Sequence, residues 1–126
     1  MIDQCCLHVT DLERSRSFYD AALGRLGLPT GRPASSSVRW AGAGGEAFSI
    51  NQIRPGRNAS HLLEAQFAFV ARSRPAVDAF HAAALRAGGR SERDPGLRPE
   101  FHPNYYAAQV LDPDGNRIEA VCHEPA

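Results

Sequence analysis

Side chains suited to acid–base chemistry and stacking are concentrated in the second half of the chain. Within Leu97–Tyr106 a guanidinium, an imidazole and two phenols follow one another, at Arg98, His102, Tyr105 and Tyr106. Beside a cavity, a loop of this composition could donate hydrogen bonds, stack on a planar ligand and titrate near neutral pH. A purely structural interpretation stays open, in which the rings close the core and the polar groups cap loop amides.

A second candidate is the carboxylate of Glu119, which lies between Ile118 and Ala120 in a predicted strand. Side chains alternate between the two faces of a strand, so Glu119 points away from Ile118. Facing a cavity, it could act as a metal ligand or a general base. Facing solvent, it would be an ordinary or ion-paired strand residue.

Two predicted helices position these groups. A strand over residues 2–9 leads to Thr10, which can cap a helix, and Glu13 three positions later completes a capping box. Gly27 follows the last apolar turn, where a left-handed residue often ends a helix. The second helix is predicted to begin after Ser73 and to end at a glycine pair.

The predicted strands are arranged around these helices. They cover 38–40 and 47–53 after the first helix, 64–71 before the second, and 105–111 and 116–122 at the end of the chain. Two stretches complete the prediction: residues 54–60 are expected to be a linker, and residues 90–103 to be rich in loops, with at most one short strand.

The two halves repeat at an offset of 62 positions. The pairs related by this offset include Gln4 and Gln66, Phe18 and Phe80, Leu23 and Leu85, and Gly27 and Gly89. The repeat predicts a duplicated α+β domain with modules at 1–57 and 58–126. Neither half can bury its helix and its sheet alone, so we expect the halves to pack together around a ligand cavity.

Three segments of the chain have a familiar local sequence: Thr10–Tyr19, Ala76–His81 with the following glycine pair, and Tyr105–Glu119, of which DPDGNRIE is the most specific part. Together they resemble the vicinal oxygen chelate superfamily, the glyoxalase, bleomycin resistance protein and dioxygenase group. The resemblance implies two βαβββ modules forming a curved mixed sheet around a central cavity, with the helices outside.

The resemblance also implies metal ligands on the first and last strand of each module. The matching positions are Gln4, Gln66 and Glu119, with Asn51 or Ser49 on the last strand of the first module. Many relatives have histidine where Gln4 and Gln66 stand. An amide oxygen is a weaker ligand than imidazole for zinc, nickel or iron, so the inherited metal chemistry is in question.

Two functions therefore remain open. One is a divalent-metal-dependent lyase or dioxygenase that uses Zn, Ni, Fe, Mn or Mg, with Glu119 as ligand or base and His8 near the site. The other is a metal-free protein that binds or sequesters a small molecule or antibiotic. Its site would draw on Trp40, Phe101, Tyr105, Tyr106, Gln4, Gln66 and His102. The resemblance further implies a homodimer.

Composition excludes other classes of function. The formal net charge is zero, so no general field attracts nucleic acid or an anionic membrane. No apolar run approaches the length of a membrane-spanning helix. Three cysteines without metal-type spacing and a start without a visible signal peptide predict a reduced, cytoplasmic setting.

Overall fold

The computed structural model describes residues 4–53 and 66–126, which form two βαβββ modules. The first contains β1 (Gln4–Val9), α1 (Leu12–Gly24), β2 (Arg32–Pro33), β3 (Ser37–Ala41) and β4 (Ala47–Gln52). The second contains β5 (Gln66–Val70), α2 (Arg74–Arg86), β6 (Arg90–Leu97), β7 (Tyr106–Leu111) and β8 (Arg117–Cys122). Among these described residues, no helix is long and apolar enough to cross a membrane.

Both modules have the same sheet topology. The strand orders are β1-β4-β3-β2 and β5-β8-β7-β6, with β1/β4 and β5/β8 parallel and the other pairs antiparallel. The predicted α+β class, with two βαβββ modules, is thus confirmed. In the described residues the strands form two four-stranded sheets, with β1 and β5 as edge strands. The predicted linker, 54–60, and the boundary between modules lie outside the described residues.

Each sheet has a buried face and an open face because side chains alternate along the strands. In β1, Leu7 and Val9 are buried, whereas Gln4, Cys6 and His8 are exposed. The helices pack against the buried faces and against each other.

Aromatic rings join the two buried faces. Phe48 of β4 contacts Phe67 and Phe69 of β5, with ring centroids 6.0 and 5.3 Å apart. Tyr19 of α1 and Trp40 of β3 complete this cluster and are fully buried. The two modules therefore share one core.

The cap of α1 differs from the prediction. Asp11, not Thr10, is the N-cap residue, and its side chain accepts a hydrogen bond from the backbone N–H of Arg14. The Thr10 hydroxyl and backbone N–H are instead hydrogen-bonded to Asp114, in the turn between β7 and β8. The predicted cap of α2 is confirmed, since Ser73 accepts from the N–H of Ala76.

Residues 90–97 form a longer strand than predicted. β6 is eight residues long and contains Pro95 and Gly96, residues that usually interrupt strands. Its position at the edge of the sheet explains the difference, because only one side must pair, and the register shifts twice along its pairing with β7. The loop-rich prediction holds only for the remainder of that stretch.

Candidate functional site

A cavity of about 500 Å³ lies beside the edge strands β1 and β5. Its described lining is Gln4, Cys5, Leu28, Trp40, Gly42, Glu46, Ala47, Phe48 and Gln66–Val70. Most of these side chains are apolar or aromatic, with two neutral amides and one carboxylate among them. This size and this balance of surface are typical of sites for small organic molecules.

The structure brings together three of the residues predicted for the site. Gln4 and Gln66 both line the cavity, as the repeat predicted for matching strands. Trp40 also lines the cavity, but it is only 1% exposed, so little of its ring is accessible there. Its indole nitrogen donates to Oδ1 of Asp20 over 2.8 Å, which fixes the orientation of the ring.

Strand register identifies the position in the first module that matches Glu119. Gln4 pairs with Ala47 as Gln66 pairs with Arg117, and Cys6 pairs with Ser49 as Ala68 pairs with Glu119. Ser49 is therefore the counterpart of Glu119. Asn51 lies two residues further along, where its amide donates to the Cys6 thiol.

Glu119 lies outside the described cavity lining and takes part in a separate hydrogen-bond network. It is 7% exposed. One carboxylate oxygen accepts from the Tyr105 hydroxyl over 2.9 Å, and the other accepts from the Gln109 amide over 3.4 Å. A buried carboxylate satisfied in this way serves as a fixed acceptor.

Tyr105 lies across the open face of the second sheet. The register pair Ala107 and Val121 lies between Tyr105 and Glu119 on this face. The Tyr105 ring passes over that pair for its hydroxyl to reach Glu119, and both residues of the pair are buried. Burial and the hydrogen bond to Glu119 raise the pKa of Tyr105 to about 12. The phenol is therefore a stable donor at neutral pH.

His102 and His123 form a pair that the sequence did not predict. The backbone N–H of Asn104 donates to Nδ1 of His102, so the proton of a neutral His102 is on Nε2. That nitrogen lies 2.8 Å from Nδ1 of His123, which therefore accepts. Both rings meet Tyr105 edge-on. His123 directly follows β8 beside the start of β7, and this adjacency appears only once the strands are paired.

Other predicted site residues lie elsewhere. Tyr106 projects from the opposite face of β7 and donates to Asp78 on α2. Arg98 folds back onto the backbone carbonyls of Asp94 and Leu97. His8 is exposed at the far end of β1 from the cavity.

A Ser-His-Asp cluster on the surface does not have the geometry of a catalytic triad. The Ser91 hydroxyl lies 2.9 Å from Nε2 of His81 and donates to Asp94 over 2.7 Å. Asp94 approaches the same histidine nitrogen, at 3.5 Å. In a triad the carboxylate would orient the other ring nitrogen, so this cluster cannot position a general base for the hydroxyl.

The donor set does not suit a transition metal. The four positions matched to the family's ligands hold two amides, one hydroxyl and one carboxylate that is already hydrogen-bonded twice. Zinc, nickel and iron prefer imidazole, thiolate or several carboxylates. Within 4–53 and 66–126, no three His, Cys, Asp or Glu side chains are grouped closely enough to hold a metal ion.

Comparison with known proteins agrees with this fold. A family model described as the Glyoxalase/Bleomycin resistance protein/Dioxygenase superfamily matches residues 1–120. A glyoxalase/bleomycin resistance protein from Albidiferax ferrireducens T118 is 34% identical, with a TM-score of 0.85 and 99% of each chain covered.

A glyoxalase/bleomycin resistance protein/dioxygenase family enzyme from Burkholderia phytofirmans PsJN is 15% identical, with a TM-score of 0.71, and the match covers 97% of this chain and 98% of the other. At that identity the likeness shows the fold alone. No curated protein matches the chain. The paired modules, their shared topology and the match over residues 1–120 establish that this chain belongs to the glyoxalase/bleomycin resistance protein/dioxygenase superfamily.

Proposed function

We propose that this protein binds a small organic molecule in the cavity beside β1 and β5, without a resident transition metal. The observation that carries the proposal is the pair Gln4 and Gln66. They occupy the positions matched to the family's first metal ligands, and both line a cavity of about 500 Å³. Neutral amides there can hydrogen-bond an organic ligand, and the aromatic floor supplies apolar contact.

The polar network around Glu119 supports this proposal. A carboxylate that accepts from Tyr105 and Gln109 has its charge stabilised without a cation. We infer that Glu119 holds Tyr105 across the open face of the second sheet. Its role is then to shape the surface next to the cavity.

Variants of the two amides test the proposal. Gln66→Leu should weaken binding of any cavity ligand found in a thermal-shift screen by roughly tenfold, because a buried ligand group loses its hydrogen-bond partner. Glu119→Gln should leave that affinity nearly unchanged. Equal loss in both variants would contradict the separation between the cavity and the Glu119 network.

A metal-dependent lyase or dioxygenase is the second candidate, and one observation favours it. Glu119 pairs in register with Ala68, on the same face of the sheet as Gln66. If Glu119 anchored a metal, Glu119→Gln would abolish metal-induced thermal stabilisation. Insensitivity of the wild-type protein to added Zn, Ni, Fe, Mn and Mg would exclude this candidate.

We also propose a homodimer that covers the open faces of the sheets. Val70 is 70% exposed and Phe101 is 62% exposed, so apolar surface remains uncovered on the second module. Light scattering should give twice the mass of one chain, and Val70→Asp should shift it towards one chain. A monomer mass for the wild-type protein would refute the dimer.

A further inference from the structure

Glu46 brings a negative charge to the aromatic cavity. It is the one charged side chain in the described lining. In the part of the chain that the structure describes, no hydrogen bond or ion pair engages its carboxylate. The cavity thus combines an apolar floor with a carboxylate available at its edge.

The turn between β3 and β4 determines where this carboxylate lies. A Cβ added at Gly42 would be 2.0 Å from one carboxylate oxygen of Glu46, and a Cβ at Gly44 would be 2.6 Å from the other. Real Cβ atoms do not approach other atoms that closely. Glycine at both positions therefore leaves room for Glu46 to lie over the turn, beside the cavity.

We propose that the cavity selects an organic cation, a molecule with an apolar or aromatic body and a protonated amine. This proposal rests on the proposed binding function and names the class of its ligand. Glu46 attracts the amine through a charge interaction near low-dielectric surface. Aromatic rings at the cavity, at Phe48, Phe67 and Phe69, favour a cation over an anion, and a ligand carboxylate would be repelled.

Three matched probes test the proposal: 4-phenylbutylamine, 4-phenylbutanol and 4-phenylbutanoate at pH 7. The chain has a single tryptophan, Trp40, so its fluorescence reports directly from the cavity floor. We expect the amine to bind roughly fivefold more tightly than the alcohol, and the carboxylate most weakly.

Two variants assign the preference to Glu46. Glu46→Gln should bring amine affinity down to that of the alcohol without changing alcohol binding. Gly42→Ala keeps the charge of Glu46 but displaces its carboxylate, so it should also lower the affinity for the amine. Glu124→Gln, at an exposed glutamate near the end of the chain, is the matched control and should change nothing.

The outcomes separate the ligand class from the binding function. Equal binding of amine and alcohol, or an amine preference that survives Glu46→Gln, would overturn the cation proposal while cavity binding stood. Fluorescence that responds to none of the three probes would overturn the cation proposal. Only a thermal-shift screen that also found no neutral or anionic cavity ligand would overturn the proposed function.

Discussion

The two modules share a topology but differ in how their open faces are built. In the first module, Gln4, Cys6 and His8 are exposed along β1, and the Cys6–Asn51 contact is the one hydrogen bond between two side chains described on that face. In the second, Glu119 and Tyr105 belong to a connected network. The second module therefore presents a hydrogen-bonded polar cluster on its open face, whereas the first presents separate exposed side chains along β1.

The equivalent turns of the two modules also differ in how many hydrogen bonds hold their side chains. The Gly42–Gly45 turn of the first module is exposed and lies beside the cavity. The Asp112–Gly115 turn of the second module is bound to α1 and to the residue before its cap: Asp112 is buried and accepts from Tyr19 of α1, and Asp114 accepts from Thr10. The DPDG motif therefore joins the two modules as well as turning the chain.

Removing the Asp112 side chain, which joins the second module to Tyr19 of the first, should have the largest effect on the free energy of unfolding. Besides Tyr19, Asp112 accepts from the backbone N–H groups of Asp114 and Asn116. Asp112→Ala leaves buried donors unpaired, so we expect the free energy of unfolding to fall by about 3 kcal/mol in urea titration.

Asp94→Ala provides the control for that variant. The Asp94 side chain is 84% exposed, so the change should stay within about 0.5 kcal/mol. Similar losses of unfolding free energy in Asp112→Ala and Asp94→Ala would show that the contacts of Asp112 do not hold the modules together.

The network on the second module can be tested with a pair of adjacent tyrosines. Tyr105→Phe removes a donor to buried Glu119 and should lower the free energy of unfolding by about 1.5 kcal/mol. Tyr106→Phe removes only an exposed hydrogen bond to Asp78 and should cost about 0.5 kcal/mol. The reverse order would contradict the importance assigned to the Glu119 network.

Alkaline pH should weaken the same network. The pKa of Tyr105 is raised to about 12 in the folded protein from an ordinary value of 10.0. Its contribution to stability is therefore complete below pH 10 and is lost as pH rises towards 12. Urea titrations at pH 9, 10 and 11 should show a decline that is smaller in Tyr105→Phe. Identical slopes in both proteins would refute this assignment.

The histidine pair should make the smallest contribution. His123→Ala removes the acceptor for Nε2 of His102 at an exposed position, and we expect a loss of about 0.5 kcal/mol. His8→Ala, at an exposed histidine of the first module, should leave stability unchanged. Nitrogen-15 NMR of His102 would check the tautomer directly, since the account requires the neutral ring to carry its proton on Nε2.

Local sequence patterns predicted the helices, most of the strands and the duplication, because glycine stops, caps and alternation act over a few residues. Contacts distant in sequence could not be predicted in this way. Thr10 is a residue type that often caps helices, yet its side chain is hydrogen-bonded to Asp114, 104 positions away. Asp11 caps the helix instead. Such competition is visible only when the modules pack.

The site was predicted only in part for the same reason. The repeat placed Gln4 and Gln66 on matching strands, and both line the cavity. Strand register then identified Ser49, where the sequence left Ser49 and Asn51 as alternatives. The sequence did not predict Glu46 as a site residue, because its proposed role depends on the turn beside it and on the cavity that it lines.

Metal analysis of protein purified without a polyhistidine tag tests the central claim most directly. The account predicts well below one transition-metal ion per chain by mass spectrometry, and no thermal stabilisation when Zn, Ni, Fe or Mn is added. One bound metal per chain, lost in Glu119→Gln, would contradict it and restore the metal-dependent function.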